Sequence, residues 1–478
     1  MVRVKLSDIA KAVRGQLKGP ADLEIRGVST DTRKIKTREL FIALEGENFD
    51  GHSFIADAAN SGAAAAIVDF ANPCVNSFCA SYPGFPLILV NDTLAALGDI
   101  ARWYRERLGV IAVGITGSSG KTCTKDYLFS CVKREKRVTS PPGSYNNEVG
   151  VPLTVLNASP DDEVIILELG ARHKGDIKYL SGIAKPHVGI ITNIGTAHIE
   201  IFGSRKNIAK AKSELAESLP QQGILILNSD DDMSEWISKR TSAKVMRVGF
   251  EKNSDFLITD ISSRGKNGAE FTLKGPDISM NLRVPLRVKH LIFNAAMAAS
   301  CAHILGISRE FIEKGISQAR ISEWRCEIRK VPAGYTVIND AYNANPASMR
   351  AAFETIRLLG EKRRTIVVLG DMEELGEMSP LFHKEVGADA VNAGADILVA
   401  AGRYAKYYVA GALESGLPRG SVYPTKDKKQ ALRILADLIE PNDVILVKAS
   451  RASGFEEIAL ALINGSFEMS SREVLPNV

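Results

Sequence analysis

The sequence predicts an α/β protein of three domains: a small N-terminal α/β domain, then two larger domains built on mainly parallel sheets. Three observations carry this expectation. The chain has 478 residues, which at roughly 150 residues per domain gives about three domains. Continuous apolar runs of buried-strand length at 110–115, 164–169, 188–192 and 224–227 alternate with helical stretches, the pattern of a parallel sheet covered on both faces. A second alternating block begins near Glu327, with strands expected at 336–339, 365–369, 397–400 and 444–447, a doubly wound, Rossmann-like pattern. The expected domains are 1–90, 91–325 and 326–478.

In chain order, short apolar segments at 40–44, 65–68 and 86–90, with a helix expected over 53–60, make the first unit. A helical pattern over 92–108 leads into the second. Residues 256–288 read as antiparallel strands with turns. Residues 290–305 are apolar nearly all round and read as a buried helix.

Composition narrows the function classes. Apolar residues make up 45% and charged residues 24%, which excludes wholesale disorder. Lys and Arg number 60 against 56 Asp and Glu, a net +4 spread along the chain, so nothing calls for a nucleic-acid partner or an anionic membrane. The six cysteines form no CxxC pair and no HExxH occurs, leaving no support for a disulfide framework or a zinc site. The N-terminal segment lacks the apolar core of a secretory signal, and no apolar run approaches the ~18 residues that cross a bilayer. The expectation is a cytoplasmic protein without membrane insertion, and a monomer.

The sharpest local signal is Gly114-Ile-Thr-Gly-Ser-Ser-Gly-Lys-Thr122, which follows a strand and opens a helix. In such a loop Gly117, Ser118, Ser119 and Gly120 turn backbone N–H groups toward phosphate oxygens, and the helix N-terminus adds positive potential. Lys121 would bridge the β- and γ-phosphates and the Thr122 hydroxyl would reach Mg²⁺. The usual first glycine of the motif is Ile115 here. The central domain is therefore expected to be a P-loop, ATPase-like parallel-sheet domain. Glu168 ends the apolar strand VIILE, where open parallel sheets place ligands. His198 follows the next strand.

Lys212 is conspicuous on different grounds. On a helix over 207–219, Ile208, Ala211, Leu215 and Leu219 form one apolar stripe. Lys212 falls inside it, while Lys206, Lys210, Glu214 and Glu217 are expected to face away. From the residues alone two readings stand. In one the stem snorkels and the ammonium reaches water. In the other the lysine carries a modification or meets an anion.

Together, TGSSGKT at 116–122, SYNNEVGVPLTVL at 144–156, LELGA at 167–171, NIGTAHIEIFGS at 193–204, AKAKSEL at 209–215 and DAYNANPASM at 340–349 resemble the ordered signature of the Mur ligase family across essentially the whole chain. NNEVGVP at 146–152, GDMEELG at 370–376 and VKASR at 447–451 are similar to the members that join D-alanyl-D-alanine to UDP-N-acetylmuramoyl-tripeptide. Members adding a single amino acid usually show Asp-Asn-Pro-Arg where this chain has Gly370-Asp-Met-Glu373. Ala449 stands where glycine is frequent in the family and Phe455 where methionine is common.

The resemblance implies ATP-driven amide formation through an acyl phosphate, with ATP and Mg²⁺ as cofactors. Lys121, Glu168, His198 and Lys212 would be catalytic. Thr122 and Glu168 would hold one Mg²⁺, His198 and a carbamylated Lys212 a second. Asn294 would contact adenine, and Arg325 and Asp340 would meet the nucleotide, Asp340 at the ribose hydroxyls. Ser29, Thr30, Arg33, Gly46, Asp50, Gly51 and His52 would anchor the uridine diphosphate. Asn146 and Asn147 would face the muropeptide, and Lys448, Ser450 and Arg451 would hold the dipeptide carboxylate or the ATP end. The alternatives are a single-amino-acid-adding relative, a folylpolyglutamate synthetase, or a P-loop kinase or NTPase.

Overall fold

The computed structural model describes residues 3–46, 49–263 and 268–466. Glu47 and Asn48, inside the expected uridine-diphosphate segment, lie outside the described residues. The first sheet has five strands in the order Gln16–Lys18, Leu87–Val90, Ala65–Asp69, Glu39–Ile42, Gly27–Ser29. All neighbours are parallel except the antiparallel pair of Gln16–Lys18 with Leu87–Val90. The helix expected over 53–60 begins as a 3₁₀ turn, Gly51–Phe54, and becomes α-helical at Ile55–Asn60.

The central sheet is built around Ile111–Thr116. Val164–Glu168 pairs with it on one side and Val188–Ile191 on the other, both parallel. Ile224–Asn228 and Lys244–Gly249 continue the sheet. The antiparallel strands Phe256–Ser263, Ala269–Lys274 and Ser279–Val284 close that edge, as the region 256–288 leads one to expect. Successive residues of one strand serve two cores. Ile165 and Leu167 pack with helices Asp176–Ala184 and Arg205–Glu217. Val164 and Ile166 pack with helices Lys121–Val132 and Lys289–Ile304. This two-faced burial is why these strands read as unbroken apolar runs.

The third sheet runs Glu327–Lys330, Thr336–Asn339, Val444–Lys448, Thr365–Leu369, Ile397–Ala401, Val422–Thr425. Helix Pro346–Leu359 starts on a reciprocal cap. Asn345 Oδ1 accepts from the Ser348 amide at 2.9 Å, Ser348 Oγ accepts from the Asn345 amide at 2.9 Å, and Pro346 takes the first turn. The two family departures meet in this domain. A Cβ on Gly370 would lie 2.5 Å from the Phe455 ring and 2.7 Å from Ala449 Cβ. The bare glycine leaves room for both larger side chains.

Helices Ser379–Asn392 and Ala405–Glu414 approach closely through glycines. A Cβ on Gly411 would lie 1.9 Å from the Lys384 carbonyl oxygen, and one on Gly387 2.1 Å from that of Tyr408. Gly411→Ala is therefore expected to destabilise the chain by about 1–3 kcal/mol through overpacking, read as a lower urea midpoint. Among the described residues no helix is long and apolar enough to cross a membrane.

Candidate active site

Strand Ile111–Thr116 delivers the glycine-rich loop to the carboxyl end of the central sheet. Ile115 is fully buried and pairs with both Glu168 and Ile190, so the position where a glycine is usual belongs to the strand. Two glycines have backbone reasons of their own. Gly117 has φ +143 and a Cβ there would fall 1.9 Å from Thr192 Oγ1; Gly120 has φ +80 and a Cβ there would fall 2.5 Å from Asn294 Oδ1. Asn193 braces the loop from the next strand. Its carbonyl accepts from the Ser118 amide and its side-chain oxygen from the Ser119 amide, each at 3.0 Å. The Ser118 hydroxyl accepts from the Gly195 amide at 2.9 Å. The Lys121 ammonium donates to the Gly117 carbonyl at 2.9 Å, and burial lowers its pKa.

The strand register sets Glu168 beside the first helical turn. Thr122 Oγ1 lies 2.8 Å from Glu168 Oε2 and 2.8 Å from Ser144 Oγ, and Asn146 Nδ2 donates to Glu168 Oε1 at 2.8 Å. Arg325 donates to Ser144 Oγ at 2.7 Å and stacks 3.9 Å from the Tyr342 ring centre. Cys123 beside the loop is buried, which pushes its thiol up to about 12, so it packs rather than reacts.

Lys212 is 2% exposed within a stripe where Ile208, Ala211 and Leu215 are fully buried. Its side chain lines the cleft. Burial, and then the charge of Lys121, lower its pKa to about 7. Glu214 corrects an expectation. It does not face away but is 6% exposed, accepting from the Gly175 and Lys178 amides at 2.8 and 3.0 Å, where a carboxylate suits the start of helix Asp176–Ala184. His198, at φ +59, pairs through Nδ1 with Glu374 of the third domain. That bond holds the Glu374 carboxyl below its ordinary range. Arg172 stands 3.7 Å from the same carboxylate.

One cleft of about 1430 Å³ gathers Lys121, Thr122, Glu168, Lys212, His198, Asn294 and, at the end of the central domain, Arg325, with Asp340, Lys448, Ser450 and Arg451 beyond it. Lys448 is not free to reach a ligand. The residue is 2% exposed, and its ammonium donates to Asp340 Oδ2 at 2.6 Å and the Asn343 carbonyl at 2.9 Å. Ser450 is also engaged, accepting from the Glu373 amide at 2.9 Å. Arg451 pairs with Glu456 at 2.9 Å and stacks over Trp324 at 4.4 Å. Asn147 Oδ1 accepts from the Gly150 amide at 2.9 Å, where helix Gly150–Asn157 begins, while Asn146 is the one that reaches Glu168.

None of the first-domain candidates lines this cleft. Ser29 ends the strand Gly27–Ser29, and Thr30, Arg33, Gly46, Asp50, Gly51 and His52 follow the carboxyl ends of that strand and of its parallel neighbour Glu39–Ile42, a usual ligand position in open α/β sheets. Arg33 is exposed and paired to Asp31 at 2.8 Å. His52 is turned inward and is held by its own neighbours. It is 3% exposed, its Nδ1 lies 2.6 Å from Asp50 Oδ1, and its Nε2 accepts from the Asp69 amide at 2.9 Å. Asp50 also accepts from Asn72 at 2.9 Å. A Cβ on Gly51 would fall 2.6 Å from the Leu44 carbonyl oxygen, so its bare backbone serves packing.

Sequence reasoning missed Ser144 and Glu374 as parts of the site, although both sit inside motifs it quoted. Among the described residues no group of three or more His, Cys, Asp or Glu side chains is arranged to hold a metal. The Thr122 hydroxyl and Glu168 carboxylate, side by side and buried, nonetheless fit Mg²⁺, a hard cation that takes few protein oxygens and completes its shell with phosphate and water.

The chain matches the Mur ligase middle domain over residues 115–302, the Mur ligase glutamate ligase domain over 324–451, and the Mur ligase family catalytic domain over 24–105. It is 37% identical to the UDP-N-acetylmuramoyl-tripeptide–D-alanyl-D-alanine ligase of Bacillus subtilis (strain 168), over 97% of this chain and 99% of that one. The crystal structure of MurF from Acinetobacter baumannii superposes with a TM-score of 0.86 at 33% identity, covering 97% of this chain and 99% of that one. MurF of Thermotoga maritima in complex with ADP superposes with a TM-score of 0.79 at 26% identity, covering 93% and 99%. The chain belongs to the Mur ligase family of ATP-dependent, amide-forming enzymes.

Proposed function

We propose that this chain joins D-alanyl-D-alanine to UDP-N-acetylmuramoyl-tripeptide at the expense of ATP, as a cytoplasmic monomer in peptidoglycan synthesis. One observation carries the reading: nearly end-to-end likeness, at 37% identity, to an enzyme named for that reaction. The division of labour follows the three sheets, with 1–90 anchoring the uridine diphosphate, 91–325 binding ATP and 326–478 presenting the incoming dipeptide.

The tripeptide carboxylate attacks the γ-phosphorus, ADP departs, and an acyl phosphate forms. The dipeptide amine then attacks the acyl carbon, and phosphate leaves as the amide forms. Two anions must approach in the first step, so charge neutralisation dominates the barrier. Lys121 supplies a cation once its ammonium leaves the Gly117 carbonyl for the phosphates. Gly120 and the first turn of helix Lys121–Val132 present unpaired N–H groups. Thr122 and Glu168 would hold one Mg²⁺, and His198 with a carbamylated Lys212 a second. Bound there, the ions would neutralise the phosphate oxygens as Lewis acids. Carbamylation joins the neutral Lys212 amine to CO₂ with release of a proton, and replaces a repelling cation with an anion. Asn294 lies against Gly120 on the adenine side, and Asp340, oriented by Lys448, faces the ribose. In the first domain Ser29, Thr30, Arg33 and Gly46 contact the uridine diphosphate, while Asp50, Gly51 and His52 shape the segment that carries them.

The decisive assay offers lysine- and diaminopimelate-containing tripeptide precursors with either D-alanine or D-alanyl-D-alanine. Dipeptide-dependent phosphate release with amide product is expected. Release indifferent to the dipeptide would favour an NTPase, and release with single D-alanine a sibling ligase. The acyl phosphate must be shielded from water, and His198–Glu374 and Arg172–Glu374 already join the domains across the cleft. Compaction is therefore expected in solution scattering when an ATP analogue and the tripeptide precursor are added together; an unchanged profile argues against closure.

A further inference from the structure

One turn beyond Thr122, helix Lys121–Val132 carries two adjacent charges in a buried setting. Lys125 is 2% exposed and Asp126 9% exposed. Charges in such a place are costly unless every donor and acceptor is used. Here they are used. The Lys125 ammonium donates to the Pro141 and Gly143 carbonyls, each at 2.9 Å, and lies 2.9 Å from Asp126 Oδ1. Asp126 Oδ2 accepts from the Ser322 amide at 2.7 Å and the Ser322 hydroxyl at 2.8 Å.

The two segments held this way are remote in sequence, and they meet at their next residues. Gly143 leads directly to Ser144. Ser322 leads, three residues on, to Arg325, whose guanidinium donates to Ser144 Oγ at 2.7 Å. Ser144 Oγ also lies 2.8 Å from Thr122 Oγ1. A closed ring of bonds therefore runs from the phosphate-loop helix through both segments and back to Thr122. Within it Arg325 keeps unused capacity: its Nε is buried with no hydrogen-bond partner. Its flat face rests on Tyr342 and its donors border the cleft, an arrangement suited to an anion. Arg325 also immediately precedes the first strand of the third sheet, Glu327–Lys330.

We infer that the Lys125–Asp126 pair, acting through Ser144, is a positioning device that aims Arg325 at the nucleotide's phosphates and ties the nucleotide site to the seating of the third domain. The inference rests on the ATP-dependent ligase reading above. Lys125, Asp126 and Ser144 touch no substrate in this account. A pair that served stability alone would give variants whose effects on nucleotide affinity are independent of Arg325.

The test is calorimetric titration of the full chain with a β,γ-imido ATP analogue. Ser144→Ala is expected to weaken binding about ten- to a hundredfold, the loss of one hydrogen bond to a charged group. Arg325→Ala is expected to weaken it at least as much, and the double variant no more than Arg325→Ala alone, because residues acting as one unit are not additive. The KM for the tripeptide precursor should stay within about twofold in Ser144→Ala, since that variant disturbs only the nucleotide side. Ser144 is only half-buried, so this variant keeps the test open if Asp126→Asn or Lys125→Met fails to fold. Affinity losses that multiply in the double variant, or wild-type affinity in Ser144→Ala, would overturn the inference and leave the ligase reading standing. Absence of analogue binding in the wild-type chain would instead sink the ligase reading.

Discussion

Lys121→Ala is expected to cut ATP-driven ligation about a thousandfold or more, the scale of removing a preorganised group that meets charge in the transition state. The chain should remain folded. Burial lowers the Lys121 pKa, so the folded state gains little from this ammonium, and its one hydrogen bond is to the Gly117 carbonyl. What the variant loses is the only loop side chain that can follow the phosphates with a full positive charge. Glu168→Ala should have a comparable effect for a different reason. It removes the acceptor shared by buried Thr122 and half-buried Asn146, leaving both donors to find Ser144 or water. Phosphate release measured with all substrates present, beside a thermal melt, checks both. Near-normal rates in either variant would refute the placement of the site.

The phosphate loop was legible because its backbone demand is local: Gly117 and Gly120 sit at φ +143 and +80, although the side chains they make room for, Thr192 and Asn294, come from elsewhere in the chain. The buried parallel strands were legible because both faces are covered, which leaves an unbroken apolar run. Lys244–Gly249 escaped notice. It starts on exposed Lys244 and sets half-buried Arg247 between buried Met246 and Val248, so it offers neither an unbroken apolar run nor a strict alternation. Val138–Thr139 is two residues long, too short for any period. The Lys212 stripe was visible in the helical spacing, but Glu214 was misread because its partners, the Gly175 and Lys178 amides, come from another segment. The same limit hid Glu374. Its meeting with His198 joins residues 176 positions apart through docking of one domain on another. No spacing rule reveals that Asp50 and the Asp69 amide engage both ring nitrogens of His52.

Lys212→Met is expected to abolish turnover and yet stabilise the protein. The ordinary lysine value of 10.5 is lowered to about 7 by burial and by Lys121. Between those limits the unfolded chain binds a proton that the folded chain does not, so stability rises with pH across the window and is flat below it. Removing the amine therefore gains on the order of 3 to 5 kcal/mol near pH 7, shrinking toward nothing near pH 10.5. Urea unfolding in CO₂-free buffer at about pH 7 and about pH 10 measures both ends of that window. A variant no more stable than wild type at the lower pH would mean that the amine is not held buried and uncharged. The same low pKa makes the neutral amine, the form that attacks CO₂, abundant at physiological pH. CO₂-depleted wild-type enzyme should accordingly lose activity and regain it on adding bicarbonate, and at equal dissolved CO₂ the recovery should be faster at pH 8 than at pH 6. Recovery independent of bicarbonate would remove the carbamate from the mechanism and leave Lys212 as a buried amine whose cost to stability has no catalytic return.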